Sequence, residues 1–171
     1  MTVHNIVLLA DPVLRQKAEP VKEVDEDIRH LLDDMVETMY DAVGIGLAAP
    51  QIGISKRLIV MDCAKDDNPP EIWKMVNPEI IRRSDETSKI EEGCLSIPGY
   101  NGDVARPAEV DVRYLDSDGN LQEMTATGLL AACVQHEIDH LDGVLFIDHL
   151  SRLKRDMILR KIAKDPVFKH A

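Results

Sequence analysis

TGLLAACVQHEIDHLDG, residues Thr127–Gly143, sets Leu130, Val134, Ile138 and Leu141 on one face of a 3.6-residue period. The spacing predicts a helix over Thr127–Leu141, with Gly143 in position to end it. His136 and His140 are four residues apart, so they share a face of that helix one turn apart. Both imidazoles can then reach one metal ion, while Glu137 stands beside it, able to take a proton from a bound water. The geometry suits hydrolysis. The competing reading is two polar histidines on a half-exposed helix, and a third ligand separates the two.

Outward from this helix, DEDIRHLLDDMVETMYDAV places Ile28, Leu31, Leu32, Met35 and Met39 at helical spacing with acidic residues in the first turn. A helix is expected over about Asp25–Ala42. GIGLAAPQIG, Gly44–Gly53, holds three glycines and a proline in ten residues and reads as a loop with close backbone approach. RLIVMDC, IWKMVNPEII and TSKIEEGCLSIPGY suggest strands. In AEVDVRYLDSDGNLQEMTAT, Val110, Val112 and Tyr114 alternate with Asp111 and Arg113, and DSDGN supplies a hairpin turn. SRLKRDMILRKIAK forms a basic amphipathic helix over about residues 151–165. The order of helix, strands, helix, helix favours an α+β fold: antiparallel β-sheets packed around a central motif-bearing helix, with an N-terminal and a C-terminal helix.

The 171 residues, 44% apolar and 30% charged, are enough for one domain, 1–171, with its own core. A net charge of −11 with 4% aromatic residues argues against a nucleic-acid groove over most of the surface. The charge is uneven: residues 151–171 carry +5, leaving −16 for residues 1–150. The start, MTVHNIVLLADPVL, does not fit a secretory signal, and no apolar stretch approaches the roughly 20 residues that span a bilayer. Three widely spaced cysteines argue against a disulfide framework. A cytoplasmic address is expected.

The third ligand is sought on both sides of the helix. The metzincin pattern needs a histidine three residues after Gly143, where this chain has Phe146; the thermolysin-like pattern needs a downstream glutamate, and none follows Glu137. Asp148 and His149 remain a downstream option, although a lone His or Asp just past a helix end is more often an ordinary surface residue. Cys133 is seven residues from His140, roughly 10 Å along the axis, and reads better as a small buried residue lining the site. Cys63 ends an apolar run and belongs with the core. Cys94, between a glycine and a polar turn in EEGCLSIPG, can face a cleft and is the best candidate.

Taken together, GIGLAAPQIG, EEGCLSIPG and QHEIDHLDG resemble, in order and spacing, the three signature motifs of the peptide deformylase family. The likeness runs from VLLADPVLRQKAEPV to the final helix, and LFIDHLSRLKR looks like the bacterial, type 1-like form. The resemblance implies hydrolysis of the N-formyl group from N-formylmethionyl nascent peptides, releasing formate. It implies that Cys94, His136 and His140 hold the metal, with a fourth position for water, and that Glu137 is the general acid/base. Gln51 and the backbone N–H of Leu95 would donate to the formyl oxygen, because a formamide is a poor electrophile and its developing negative charge needs placed donors.

Gly46 and Ile45 would line the substrate path, with Glu92 and Gly93 beside it, and Ile90, Leu129 and Cys133 would enclose the methionine side chain. For Ile90 and Leu129 plain core packing is the alternative. Glu92 and Arg106, with Asp139, would orient the metal-binding histidines and Gln51, or else form a surface ion pair. Some family members carry an arginine seven residues after the ligand cysteine, where this chain has Asn101. The resemblance implies one Fe²⁺ per chain, with Zn²⁺, Ni²⁺ or Co²⁺ able to substitute, whereas donor type alone would suggest zinc. It also implies docking at the ribosome through the basic last helix, for which a solvated helix packed on the body is the alternative. No membrane partner and no sequence-specific nucleic acid are expected. A small endopeptidase and a catalytically silent metal-stabilised binding module are the rival readings.

Overall fold

The computed structural model describes residues 2–65 and 67–168. Helix α1 spans Glu26–Asp41, and its first free N–H groups are met by the Asp25 side chain, which accepts from Ile28 N at 2.9 Å. Ile28, Leu32, Met35 and Met39 recur at helical spacing and are buried. Strands β1 (Gly46–Ala48), β2 (Leu58–Asp62), β3 (Ile72–Arg83), β6 (Glu109–Leu115) and β7 (Leu121–Thr127) form one antiparallel sheet in the order β1-β2-β3-β6-β7. Strands β4 (Thr87–Cys94) and β5 (Ile97–Pro107) form a separate antiparallel pair. Helix α2 (Gly128–Leu141) touches both sheets, and helix α3 (Arg152–Lys164) follows it. The fold is α+β with the motif-bearing helix at its centre.

Strand β2 shows why that helix is central. Side chains alternate across a strand, so Ile59 and Met61 face α2 with Met75, Val110, Val112, Ala126, Val134, Ile138 and Leu141. Leu58 and Val60 face the other way, onto Leu32, Met35 and Met39 of α1. A strand covered on both faces must be continuously apolar, and LIVM is. Each fully buried side chain of this size contributes about 1.5–3 kcal/mol, so the sheet is held from both sides. A third apolar cluster joins Ile97 and Val104 of β5 to Leu14, Phe146, Ile147 and Ile162, and so ties the small sheet to α3. The last three residues of the basic segment, Lys169–Ala171, lie outside the described residues. Among the described residues no helix is long and apolar enough to cross a membrane.

The expected helices and the hairpin are present, with Val110 opposite Ala126 and Val112 opposite Met124. GIGLAAPQIG differs from the loop expected. Gly46–Ala48 pair with β2, Gly46 opposite Met61, and Ala49–Ile52 form a 3-10 turn opened by Pro50. The glycines and proline obscure a segment whose Leu47, Ala48 and Ala49 are fully buried, and burial outweighs their weak strand propensity.

Gly143 terminates α2 in the left-handed region, with φ 76°. A Cβ there would also stand 2.6 Å from the carbonyl oxygen of Arg15. Gly143→Ala therefore combines backbone strain with a clash against a main chain that cannot move aside, and about 2–4 kcal/mol of stability should be lost. Urea unfolding measures it; a loss below about 0.5 kcal/mol would show that the neighbouring chain yields.

Candidate active site

Cys94 is the last residue of β4, and the β4–β5 register shifts between Gly93 and Cys94. Such an irregularity re-aims a side chain. Here it turns the thiol toward α2, whose His136 and His140 lie one turn apart. One donor atom from each of Cys94, His136 and His140 lies within 4.8 Å of the others. Cys94 Sγ is 3.4 Å from His140 Nε2. His136 Nδ1 is 2.9 Å from Glu92 Oε1; a carboxylate can only accept, so the imidazole donates through Nδ1 and leaves Nε2 as its atom for a ligand. A half-buried cysteine and two buried histidines with donor atoms this close suit a transition-metal cation, which would bind their thiolate and neutral imidazole forms.

The groups behind these donors form a chain of charges. Arg106 donates to Glu92 through Nε at 2.7 Å and Nη2 at 3.0 Å, and to Asp139 through Nη1 at 2.8 Å. His149 Nε2 is 2.8 Å from the same Asp139 oxygen. The Arg106 and Glu92 side chains are only 6% and 7% exposed, which rules out the surface ion pair. Burial opposes the charge on Glu92, but hydrogen bonds from His136 and Arg106 outweigh it and hold the carboxyl below its usual range. Gln51 is oriented differently from the expectation. Its Oε1 accepts from Ala48 N at 3.0 Å, so its Nε2 must face Ser96 Oγ at 3.2 Å and Cys94 Sγ at 3.5 Å.

Glu137 is 4% exposed, and its Oε1 has no hydrogen-bond partner among the described residues. Burial pushes its carboxyl up to about 7; the positive His136 and Arg106 oppose the rise and the negative Glu92 adds to it. A buried carboxyl with a free oxygen, poised near neutrality beside the three donors, is equipped to exchange protons. Gly46 makes room for it, since a Cβ at that position would stand 2.5 Å from Glu137 Oε2 and 2.9 Å from Cys133 Sγ.

A cavity of about 410 Å³ opens in front of these groups. Ile45, Gly46, Gln51, Ile90, Glu92, Gly93, Leu95, Leu129 and Cys133 all line it, together with Cys94, His136 and Glu137. His140 lies behind this wall, and its Nδ1 is buried without a partner among the described residues. Asp148 and His149 are not part of the donor group: Asp148 pairs with Arg15 at 2.6 Å and His149 with Asp139. Cys63 packs against the core as expected. Sequence reading missed Val43, Gly44, Glu91, Pro98, Gly99 and Ala132 in the wall, and Ser96 behind Gln51. Ser96 had a usable signal, because it stands two residues beyond Cys94 in the same motif; Val43 and Ala132 carry no chemistry of their own. Asn101 lies opposite Gly93 in the β4–β5 pair.

A family model described as Polypeptide deformylase matches residues 3–156. The peptide deformylase of Rhizobium meliloti (strain 1021) is 56% identical over 164 residues, covering 96% of this chain and 94% of the relative. That of Mesorhizobium japonicum is 57% identical, covering 96% and 93%. Among solved structures, a peptide deformylase from Ehrlichia chaffeensis in complex with actinonin superposes with a TM-score of 0.90 at 43% identity, covering 96% of this chain and 98% of that one. One from Legionella pneumophila gives 0.88 at 49% identity, covering 95% of each.

Proposed function

Since the chain belongs to the polypeptide deformylase family, we propose that Cys94, His136, His140, Glu137 and Gln51 are the residues through which it acts. The enzyme hydrolyses the N-formyl group of N-formylmethionyl nascent peptides and releases formate. The observation that carries the residue assignment is the close Cys94/His136/His140 donor group, both histidines buried, beside a buried carboxyl with an unpartnered oxygen, with Cys94, His136 and Glu137 in the wall of one cavity. Residues 1–171 are read as one catalytic domain acting in the cytoplasm.

Cys94, His136 and His140 would hold one cation, and Glu92 keeps His136 in the tautomer that can ligate. When bound, the cation supplies Lewis acidity, polarising the formyl oxygen and making water a stronger acid. We infer iron(II) from the family resemblance, with zinc, nickel and cobalt as replacements. Glu137 takes the proton of the attacking water and returns it to the departing nitrogen, which would otherwise leave as a poor amide anion. Gln51 Nε2 and the Leu95 backbone N–H donate to the formyl oxygen as negative charge develops there. The methionine side chain lies against Ile90, Leu129 and Cys133, its backbone along Ile45 and Gly46, with Glu92 and Gly93 in the facing wall.

Anaerobically purified protein should contain one equivalent of metal, release formate from formyl-Met-Ala-Ser, and lose and regain both properties together on chelation and reloading. Formate release that persists after complete metal removal would refute the assignment of the three ligands. Cleavage of unformylated, internally quenched peptides would favour the endopeptidase reading. Gln51→Glu keeps the acceptor for Ala48 N and the side-chain shape but removes the donor. Turnover should fall about 10²–10³-fold with metal retained, and near-normal turnover would remove Gln51 from the reaction.

The ribosome reading is supported by α3, which sets exposed Leu153 and Met157 among its basic residues. Deleting residues 154–171 should reduce cosedimentation with ribosomes, and unchanged binding at low salt would count against it.

A further inference from the structure

Helix α1 ends with two backbone bonds, Gly44 N to Met39 O at 2.9 Å and Val43 N to Tyr40 O at 3.0 Å. This closure forces the residue after the cap into the left-handed region, where glycine is usual. Helix α2 closes in the same way, Val144 N to Asp139 O at 2.9 Å and Gly143 N to His140 O at 3.2 Å, and uses glycine. At α1 the corresponding residue is Val43, with φ 57°. A β-branched side chain there is a strained outlier.

Among the described residues Asn77 is the other non-glycine with positive φ, and it is compensated: its side chain bonds both N–H and C=O of Val21 at 2.8 Å. Val43 has no such return, since it is 91% exposed and gains almost nothing from packing. The fold therefore gives no reason for valine, but its location does. Val43 lies in the cavity wall beside Ile45 and near Leu129, which are 44% and 46% exposed. A peptide whose formyl group and methionine fill the cavity leaves past its exposed wall, of which these three apolar side chains form part. Glu91, exposed in the same cavity's wall, disfavours an acidic side chain there.

We propose that Val43 is a specificity-determining residue, whose isopropyl group receives an aliphatic side chain from one of the two peptide residues that follow the methionine. This rests on the reading of the cavity as the formylmethionyl-peptide site. Strain at a rim residue persists where the exposed surface is used by a ligand.

The test compares formyl-Met-Leu-Ser with formyl-Met-Asp-Ser, and formyl-Met-Ala-Leu with formyl-Met-Ala-Asp, in wild type, Val43→Gly and Val43→Thr. Wild type should prefer Leu over Asp at one of the two positions. Both variants should lower that preference about 3- to 10-fold, carried by KM rather than kcat. Val43→Gly should in addition raise Tm by about 2–6 °C through release of strain, whereas Val43→Thr, still β-branched, should not. Unchanged selectivity at both positions in both variants overturns the proposal, even if Tm rises. Absence of formate release from all four peptides in wild type would overturn the reading of the cavity itself, and the proposal with it.

Discussion

Glu137→Gln should reduce formate release by about 10²–10⁴-fold while leaving the bound metal at the wild-type level. Glutamine has the same shape, so the room made by Gly46 still serves it and His136 and His140 keep their positions on α2. What disappears is the ability to accept a proton from water and return it to the amine. Metal analysis and steady-state kinetics on one preparation separate the two effects, and near-normal kcat/KM with full metal would sink the assignment.

The same substitution has a second consequence, read on metal-free protein. Burial raises the folded-state carboxyl to about 7, above its ordinary value of 4.5. A carboxyl raised on folding favours the native state at low pH, and that contribution is lost as pH climbs from about 4.5 through about 7. Above that range the wild type must bury a charge that glutamine does not carry. The chelated Glu137→Gln protein should therefore melt higher than chelated wild type at pH 8, with the gap closing toward pH 5. A group that lowers stability and is required for turnover is the expected mark of an active site.

The sequence made the helices legible because each carries its own period and its own caps: Asp25 opens α1, Gly143 closes α2, and the apolar residues between them repeat at helical spacing. The β6–β7 hairpin was legible for the same reason, an alternation of two with a turn between. The GIGLAAPQIG segment was not, because its strand is three residues long and its burial is imposed by α1, α2 and β2 rather than by its own composition. At the site, His136, Glu137, His140 and Cys94 could be named as candidates from their chemistry and spacing, whereas Gln51 could be named only through the family resemblance. The orientation of Gln51 could not, since it depends on Ala48 N and Ser96 meeting it from the end of β1 and from the turn between β4 and β5. Val43 was invisible because nothing in its identity reveals a left-handed backbone.

Arg106→Leu should cost about 3–5 kcal/mol, roughly a 10 °C fall in Tm for a chain of this size. Arg106 is buried and donates to two carboxylates at once, so its removal leaves Glu92 inside the protein without its strongest counter-charge and Asp139 with only His149. Leucine fills part of the volume but cannot pair either oxygen, and a buried unpaired carboxylate costs more than the ion pair contributed. Glu92 also fixes His136 through Nδ1, so the damage reaches the donor group, and metal affinity should fall about 10- to 100-fold. If the loss comes from the stranded charge, adding Glu92→Gln to Arg106→Leu should recover part of the stability, because the amide is neutral and its carbonyl still accepts from His136. If the guanidinium matters mainly as packing, the double variant should instead be no more stable than the single one. Thermal melts and metal titrations of the three proteins decide between these outcomes.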